Sequence, residues 1–153
     1  MLAAQNMGAK QEKRARLTLR YAVLLCVGFG VAAAGGVRFA APWIVGIFEK
    51  NPDVIRLGSQ YLKSYVWDCV FAGIHFCFSG YFCALEKSQI SFLHNSLSIV
   101  LVRIPVAYFA SKRFPDTLFP MGLAAPLGSL LSAIICITAY VLFTRRQRAH
   151  KTV

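Results

Sequence analysis

Few residues in this chain could do chemistry, and most of them sit in apolar surroundings. Asp68 is the single acid between Lys63 and Glu86, and Arg103 is the single charge between Lys87 and Lys112. His75 follows Asp68 by seven residues, two turns along the same helix face. An ionisable group inside so apolar a run is costly, and marks either a function or a partner. Two chemistries fit. Asp68 and Arg103 can form a structural ion pair that sets the register of two neighbouring helices. Alternatively, Asp68 takes up a proton or a small cation in a water-filled cavity. His75 either lines that cavity or hydrogen-bonds an adjacent helix. Trp67 heads an aromatic series (Phe71, Phe76, Phe78, Tyr81, Phe82) and is a second cavity-lining candidate, since a flat organic cation can stack on an aromatic face.

Other chemistry lacks its parts. There is no Ser/His/Asp set, no pair of catalytic carboxylates and no metal-ligand spacing. His75 and Cys77 are two apart on a helix and point to different faces. No catalytic residue, metal site or cofactor is expected, and the chain does not read as an enzyme. Cys26, Cys69, Cys77, Cys83 and Cys136 are odd in number, lie in apolar runs and never form CxxC; they read as buried reduced thiols. Gly28, Gly30, Gly35 and Gly36 are not a dinucleotide loop, because no strand precedes them. Gly28/Ala32 and Ala32/Gly36 are small-xxx-small pairs that predict close helix packing.

The elements that must hold these residues follow from composition. Of 153 residues, 57% are hydrophobic and 15% charged, against about 45–50% and about 25% in soluble domains. Disorder is excluded, and a soluble monomer is not expected. Lys and Arg number 17 against six Asp and Glu, a net charge of +11. Nine of those 17 fall in two clusters, Lys10–Arg20 and Arg145–Lys151, each abutting a long apolar run. A nucleic-acid binder would spread its cations over a polar face; this distribution is the positive-inside pattern of a membrane protein. A helical span needs about 20 apolar residues, and four candidates occur, at 21–48, between Lys63 and Glu86, between Lys87 and Lys112, and at 117–144. No cleavable signal peptide is expected. The division is a basic cytoplasmic segment at 1–20, a four-helix transmembrane region at 21–144 and a basic cytoplasmic tail at 145–153. Four passes place both basic termini on the cytoplasmic side, in the plasma membrane. At 1.5 Å per residue, Asp68 and Arg103 lie roughly 10 and 12 Å below the outer surface. Pro105 predicts a kink beside Arg103. His94 and Asn95 read as helix–helix hydrogen-bonding residues.

Several short motifs resemble those of a known family. Ala4-Gln5-Asn6-Met7-Gly8-Ala9, followed by Arg14-Ala15, resembles the AQNxGA…RA signature of MATE (multidrug and toxic compound extrusion) transporters. Ile47 to Leu62, Ser79-Gly80, Arg103-Ile104-Pro105 and Met121 to Pro126 are similar to later family segments, in the same order. The resemblance implies an all-α membrane protein whose four helices correspond to the last four of a twelve-helix transporter, with the preceding helices as partners. It implies a partial or split cation-coupled antiporter that exports drug-like organic cations in exchange for H+ or Na+. In sodium-coupled members a carboxylate on the tenth helix helps to bind the cation; the corresponding span here has Asp68 as its acid, one turn outward of the usual position near Ala72. The alternative is a stand-alone four-helix membrane protein with an interaction or structural role. A small dimeric drug exporter ranks last, because span one has no acid and the charge bias is strong.

Overall fold

In lipid every backbone N–H and C=O must be satisfied within the protein, so long apolar runs become helices. A computed structural model describes residues 2–151, with side chains through Arg145. The order is α1 (Leu2–Gly8), α2 (Glu12–Phe48), α3 (Pro52–Tyr65), α4 (Asp68–Ala84), α5 (Ser88–Ser98), a π-helical turn (Ile99–Arg103), α6 (Ile104–Arg113), α7 (Phe119–Gly122) and α8 (Ala124–Lys151). No strand occurs among the described residues. Four stretches are long and apolar enough to cross a membrane: Glu12–Phe48, Pro52–Ala84, Ser88–Arg113 and Phe119–Arg145. The chain is a multi-pass helical membrane protein.

The passes depart from the sequence reading in three places. The basic residues Lys13 to Arg20 lie on α2 itself, so helix runs unbroken through position 20 into the apolar span. The second pass is broken at Val66 and Trp67, where Cys69 and Val70 donate backbone bonds only three residues back. Asp68 therefore starts α4 instead of lying within a helix. In the third pass, the turn before Pro105 widens. Proline lacks the N–H that would close an ordinary turn and crowds the carbonyl behind it; the Ile104 N–H bonds Ile99 O, five residues back. The kink expected at Pro105 thus takes the form of a π-turn ending on Arg103. Of the basic tail, the side chains of Arg146, Arg148 and Lys151 lie outside those described.

The turns use local chemistry. Asn51 caps α3, accepting from the Asp53 N–H at 3.0 Å, and Pro52 occupies the first helical turn, where its missing N–H costs nothing. Glu49 accepts from the N–H groups of Lys50 and Asn51 at 2.8 and 3.2 Å, which hold its carboxyl below the ordinary value. Helices α1 and α4 both end in a left-handed residue, Lys10 (φ 57°) and Glu86 (φ 60°). In each the next N–H reaches back five residues, Gln11 to Asn6 O and Lys87 to Phe82 O, the Schellman closure of orphan carbonyls.

Helix α4 is the centre of the bundle. It runs antiparallel to α2, with Gly30 against Val70 and Gly73 against Cys26, and parallel to α8, with Asp68 near Ser129 and Phe78 and Tyr81 near Tyr140. Helix α5 runs antiparallel to α8, pairing His94 with Ser132 and Ser98 with Gly128. Ala15, Leu19, Phe78, Tyr81, Phe82 and Cys136 form the apolar core, at the end of the bundle that carries Lys10 and Glu86. The expected close-packing stripe falls on another face of α2. Gly30, Ala34 and Ala41 are buried, whereas Gly28, Ala32 and Gly36 face outwards with nothing near Gly28 or Gly36. A methyl on Gly30 would stand 3.0 Å from the Val70 Cα. Gly30→Ala should therefore destabilise the purified chain by about 1–3 kcal/mol. Gly36→Ala should be neutral or stabilising by up to about 1 kcal/mol. Denaturant unfolding of the two variants in the same detergent checks the contrast; equal effects would contradict the packing.

Candidate functional site

The polar groups of the membrane region converge where α4, α5, the π-turn and α8 meet. Asp68 heads α4, where the helix N-terminus favours a negative charge. The π-turn ends on Arg103 and aims its guanidinium at Asp68, with Nη2 3.6 Å from Oδ1. Between them stands Ser129, fully buried on α8. Its hydroxyl donates to Asp68 Oδ1 at 2.5 Å and accepts from Arg103 Nη2 at 2.8 Å. One hydroxyl thus ties the acid to the base more closely than they approach each other. Asp68 Oδ2 has no hydrogen-bond partner among the described residues. Arg103 Nε is buried without one.

Helix α8 can sit this close because its inner face is small. Ala125, Gly128, Ser129, Ser132, Ala133 and Cys136 are all buried there. Gly128 lies under the Arg103 stem: a methyl on it would fall 2.6 Å from Arg103 Cγ and 2.9 Å from Ser98 Oγ. The Ser98 hydroxyl donates to Gly128 O at 2.5 Å. One turn further towards the core end, His94 Nδ1 lies 3.3 Å from Ser132 Oγ, and that hydroxyl also donates to the His94 carbonyl at 3.2 Å. The His75 and His94 rings meet edge to face at 5.7 Å. Both are 2% exposed, and His75 Nδ1 and His94 Nε2 are buried without a partner.

The structure therefore brings Asp68 and Arg103 together and sets His75 deeper, against His94. Trp67 stands at the break between α3 and α4, next to Asp68 in the chain, with its side chain half exposed. Asn95 is exposed. Sequence reasoning missed the serines. Ser98, Ser129 and Ser132 carry most of the contacts, yet a serine in an apolar helix ordinarily bonds its own preceding turn, as Ser59 and Ser64 do in α3. The available signal was the spacing of Gly128, Ser129 and Ser132 within an otherwise apolar, uncharged run. The arrangement holds one carboxylate beside a guanidinium and hydrogen-bonded through its Oδ1. No cluster of three or more possible metal ligands occurs among the described residues.

Known proteins resemble the chain in a consistent way. Residues 1–109 match the sequence profile of the MatE family. A FAD transporter of Shewanella oneidensis is 28% identical over 135 residues, 87% of this chain and 29% of that protein. A probable multidrug resistance protein NorM of Rhodopseudomonas palustris is 27% identical over 151 residues, 90% of this chain and 30% of that protein. The chain spans less than a third of the length of these curated relatives. No solved structure matches it.

If Ser129 and Arg103 hold Asp68 as one unit, their contributions are not additive. Asp68→Asn and Arg103→Gln should each destabilise the chain in detergent by about 2 kcal/mol, less than for a fully buried pair because Arg103 is one-third exposed. The double variant should recover about 1 kcal/mol or more relative to the sum; simple addition would show that the pair does not interact. Gly128→Ala should disturb the same unit, costing about 1–3 kcal/mol through overpacking against Arg103. Thermal melts of the variant alone and in an Arg103→Gln background test this, since removing the arginine head should leave a freer stem and a smaller penalty.

Proposed function

The chain belongs to the MatE family, and on that premise we propose that it forms the C-terminal part of a MATE-type transporter, its four passes corresponding to the last four helices of twelve. The proposed activity is export of drug-like organic cations in exchange for H+ or Na+. It is a carrier's activity and not an enzyme's. The proposed setting is the plasma membrane, with both termini cytoplasmic, because the basic clusters lie at one end of the bundle.

The observation that supports coupling is the state of Asp68. Its Oδ1 is held by Ser129 beside Arg103, while Oδ2 is free among the described residues. A carboxylate fixed through one oxygen and open at the other can take a proton or a small cation without losing its place.

Missing helices are part of the proposal. The first and third passes bury little of their apolar surface, with Phe29, Phe39, Trp43 and Phe92 more than 70% exposed. The curated relatives are more than three times as long as the aligned region. Those surfaces are read as seats for preceding helices, and transport by these four passes alone is not expected. The stand-alone interaction protein is the second class of reading. A second cargo, the anionic dinucleotide FAD, is favoured by the name of the Shewanella relative.

The test is expression in an efflux-deficient bacterium, alone and with a segment supplying the first two-thirds of the Rhodopseudomonas relative. Lower ethidium accumulation only in the combination supports a C-terminal transporter part. Efflux by the chain alone would overturn the need for partners, and no efflux from a co-purifying pair would favour the interaction protein. In the active combination, Asp68→Asn should abolish or shift the dependence of efflux on the proton or sodium gradient. An unchanged gradient dependence would remove Asp68 from coupling.

A further inference from the structure

We propose that Cys26 and Cys77 form a redox-active dithiol that closes a disulfide between α2 and α4. The two sulfurs lie 3.6 Å apart, across two different helices and 51 residues of chain. Contact this close is set by the backbone packing around them. Gly73, one turn from Cys77, lies so near Cys26 that a methyl there would stand 3.0 Å from Cys26 Cβ; one turn further along α2, Gly30 lies against the backbone of Val70. The glycines bring the helices together, and the two thiols face each other as a result. A disulfide needs the sulfurs at about 2.05 Å, so they must close by roughly 1.5 Å, within reach of side-chain rotation.

The other three thiols have no such neighbour. Cys69 is exposed, Cys83 has the Ser91 hydroxyl at 3.8 Å, and Cys136 is fully buried in the apolar core. No other sulfur pair is in contact among the described residues. Access is built in as well. Cys77 lines an open cavity of about 360 Å³ between α1, α2 and α4, together with Leu2, Thr18, Phe76 and Gly80. Cys26 is not among its lining residues. Of the two, Cys77 is therefore the thiol that a small oxidant reaches from this cavity, and Cys26 the one that resolves it.

The oxidant required is a low-molecular-weight disulfide. The Cys77 thiolate attacks one of its sulfurs, forming a mixed disulfide and expelling a thiolate. The Cys26 thiolate then attacks the Cys77 sulfur, forming the Cys26–Cys77 bond and expelling the second thiolate. The two cysteines together lose two electrons and two protons, and the oxidant becomes two thiols. The bond ties α2 to α4 and prevents either helix from sliding along the other, whatever the protein carries; a thiol reductant reverses it.

The experiment uses the full chain, reduced and purified in detergent, with one equivalent of 4,4′-dithiodipyridine. Expected are the loss of two of the five free thiols, two pyridinethiones released per chain, no retained adduct, and a Cys26–Cys77 cross-linked peptide within a monomer. The thermal midpoint should rise on oxidation and return with dithiothreitol. Cys26→Ser should instead trap the pyridyl mixed disulfide on Cys77, which intact mass reads directly. Two results would overturn the proposal. One is a helical, monodisperse wild-type protein that retains all five thiols or a stable adduct. The other is linkage through Cys69 or Cys83 or between chains. The wild-type peptide map decides the matter even if a variant does not fold.

Discussion

A carboxylate cannot stay ionised in an apolar solvent without a partner, and the middle of this bundle is organised around that requirement. Asp68 is neutralised by Arg103 and fastened by Ser129. Each lies on a different pass, so the contact fixes three passes relative to one another. Its cost is limited by local backbone devices. A helix start beneath Asp68 supplies positive potential. A π-turn imposed by Pro105 brings Arg103 round. The small face of α8 allows the approach, with Gly128 lying flat under the arginine stem. Adding a side chain at Gly128 or shifting the π-turn would leave a charge in lipid without its counterion.

The histidine layer extends the same logic inward. His94 spends its ring nitrogen and its carbonyl on Ser132, and His75 packs against the His94 ring. Each keeps one buried nitrogen without a partner. Unsatisfied polar atoms are uncommon in protein interiors. Here two of them lie in one histidine pair, inward of the Asp68–Ser129–Arg103 contacts. The apolar core at the opposite end, built on Phe78, Tyr81, Phe82 and Cys136 together with Ala15 and Leu19, holds α2, α4 and α8 together.

The outer surface is consistent with a part of something larger. Spans one and three leave most of their apolar side chains exposed. Along α2 the small residues divide into two faces: Gly30, Ala34 and Ala41 meet α4 or lie buried nearby, while Gly28, Ala32 and Gly36 are left open. An open small-residue face on a membrane helix is suited to close approach by another helix. The proposed preceding helices of a longer transporter would be positioned to use it.

What the amino-acid sequence determined by itself was the solvent and the number of passes. Long uncharged runs must become helices in lipid, and basic clusters at both ends require an even number of crossings. Asp68 and Arg103 stood out for the same reason, as lone charges in apolar runs, and the order of the short motifs from Ala4 to Pro126 identified the family. Tertiary structure alone decided which groups Asp68 meets. Periodicity does not say whether a serine turns to its own helix or to a neighbour, so Ser98, Ser129 and Ser132 were silent until α8 was docked. Nor does it say which of two interleaved small-residue stripes on α2 is buried, because both have the same spacing; only the position of Val70 and Gly73 on α4 chooses Gly30. The break before Asp68 and the π-turn before Pro105 are local, yet their effect is a change of direction. Direction acquires meaning only when another helix stands where the side chain points.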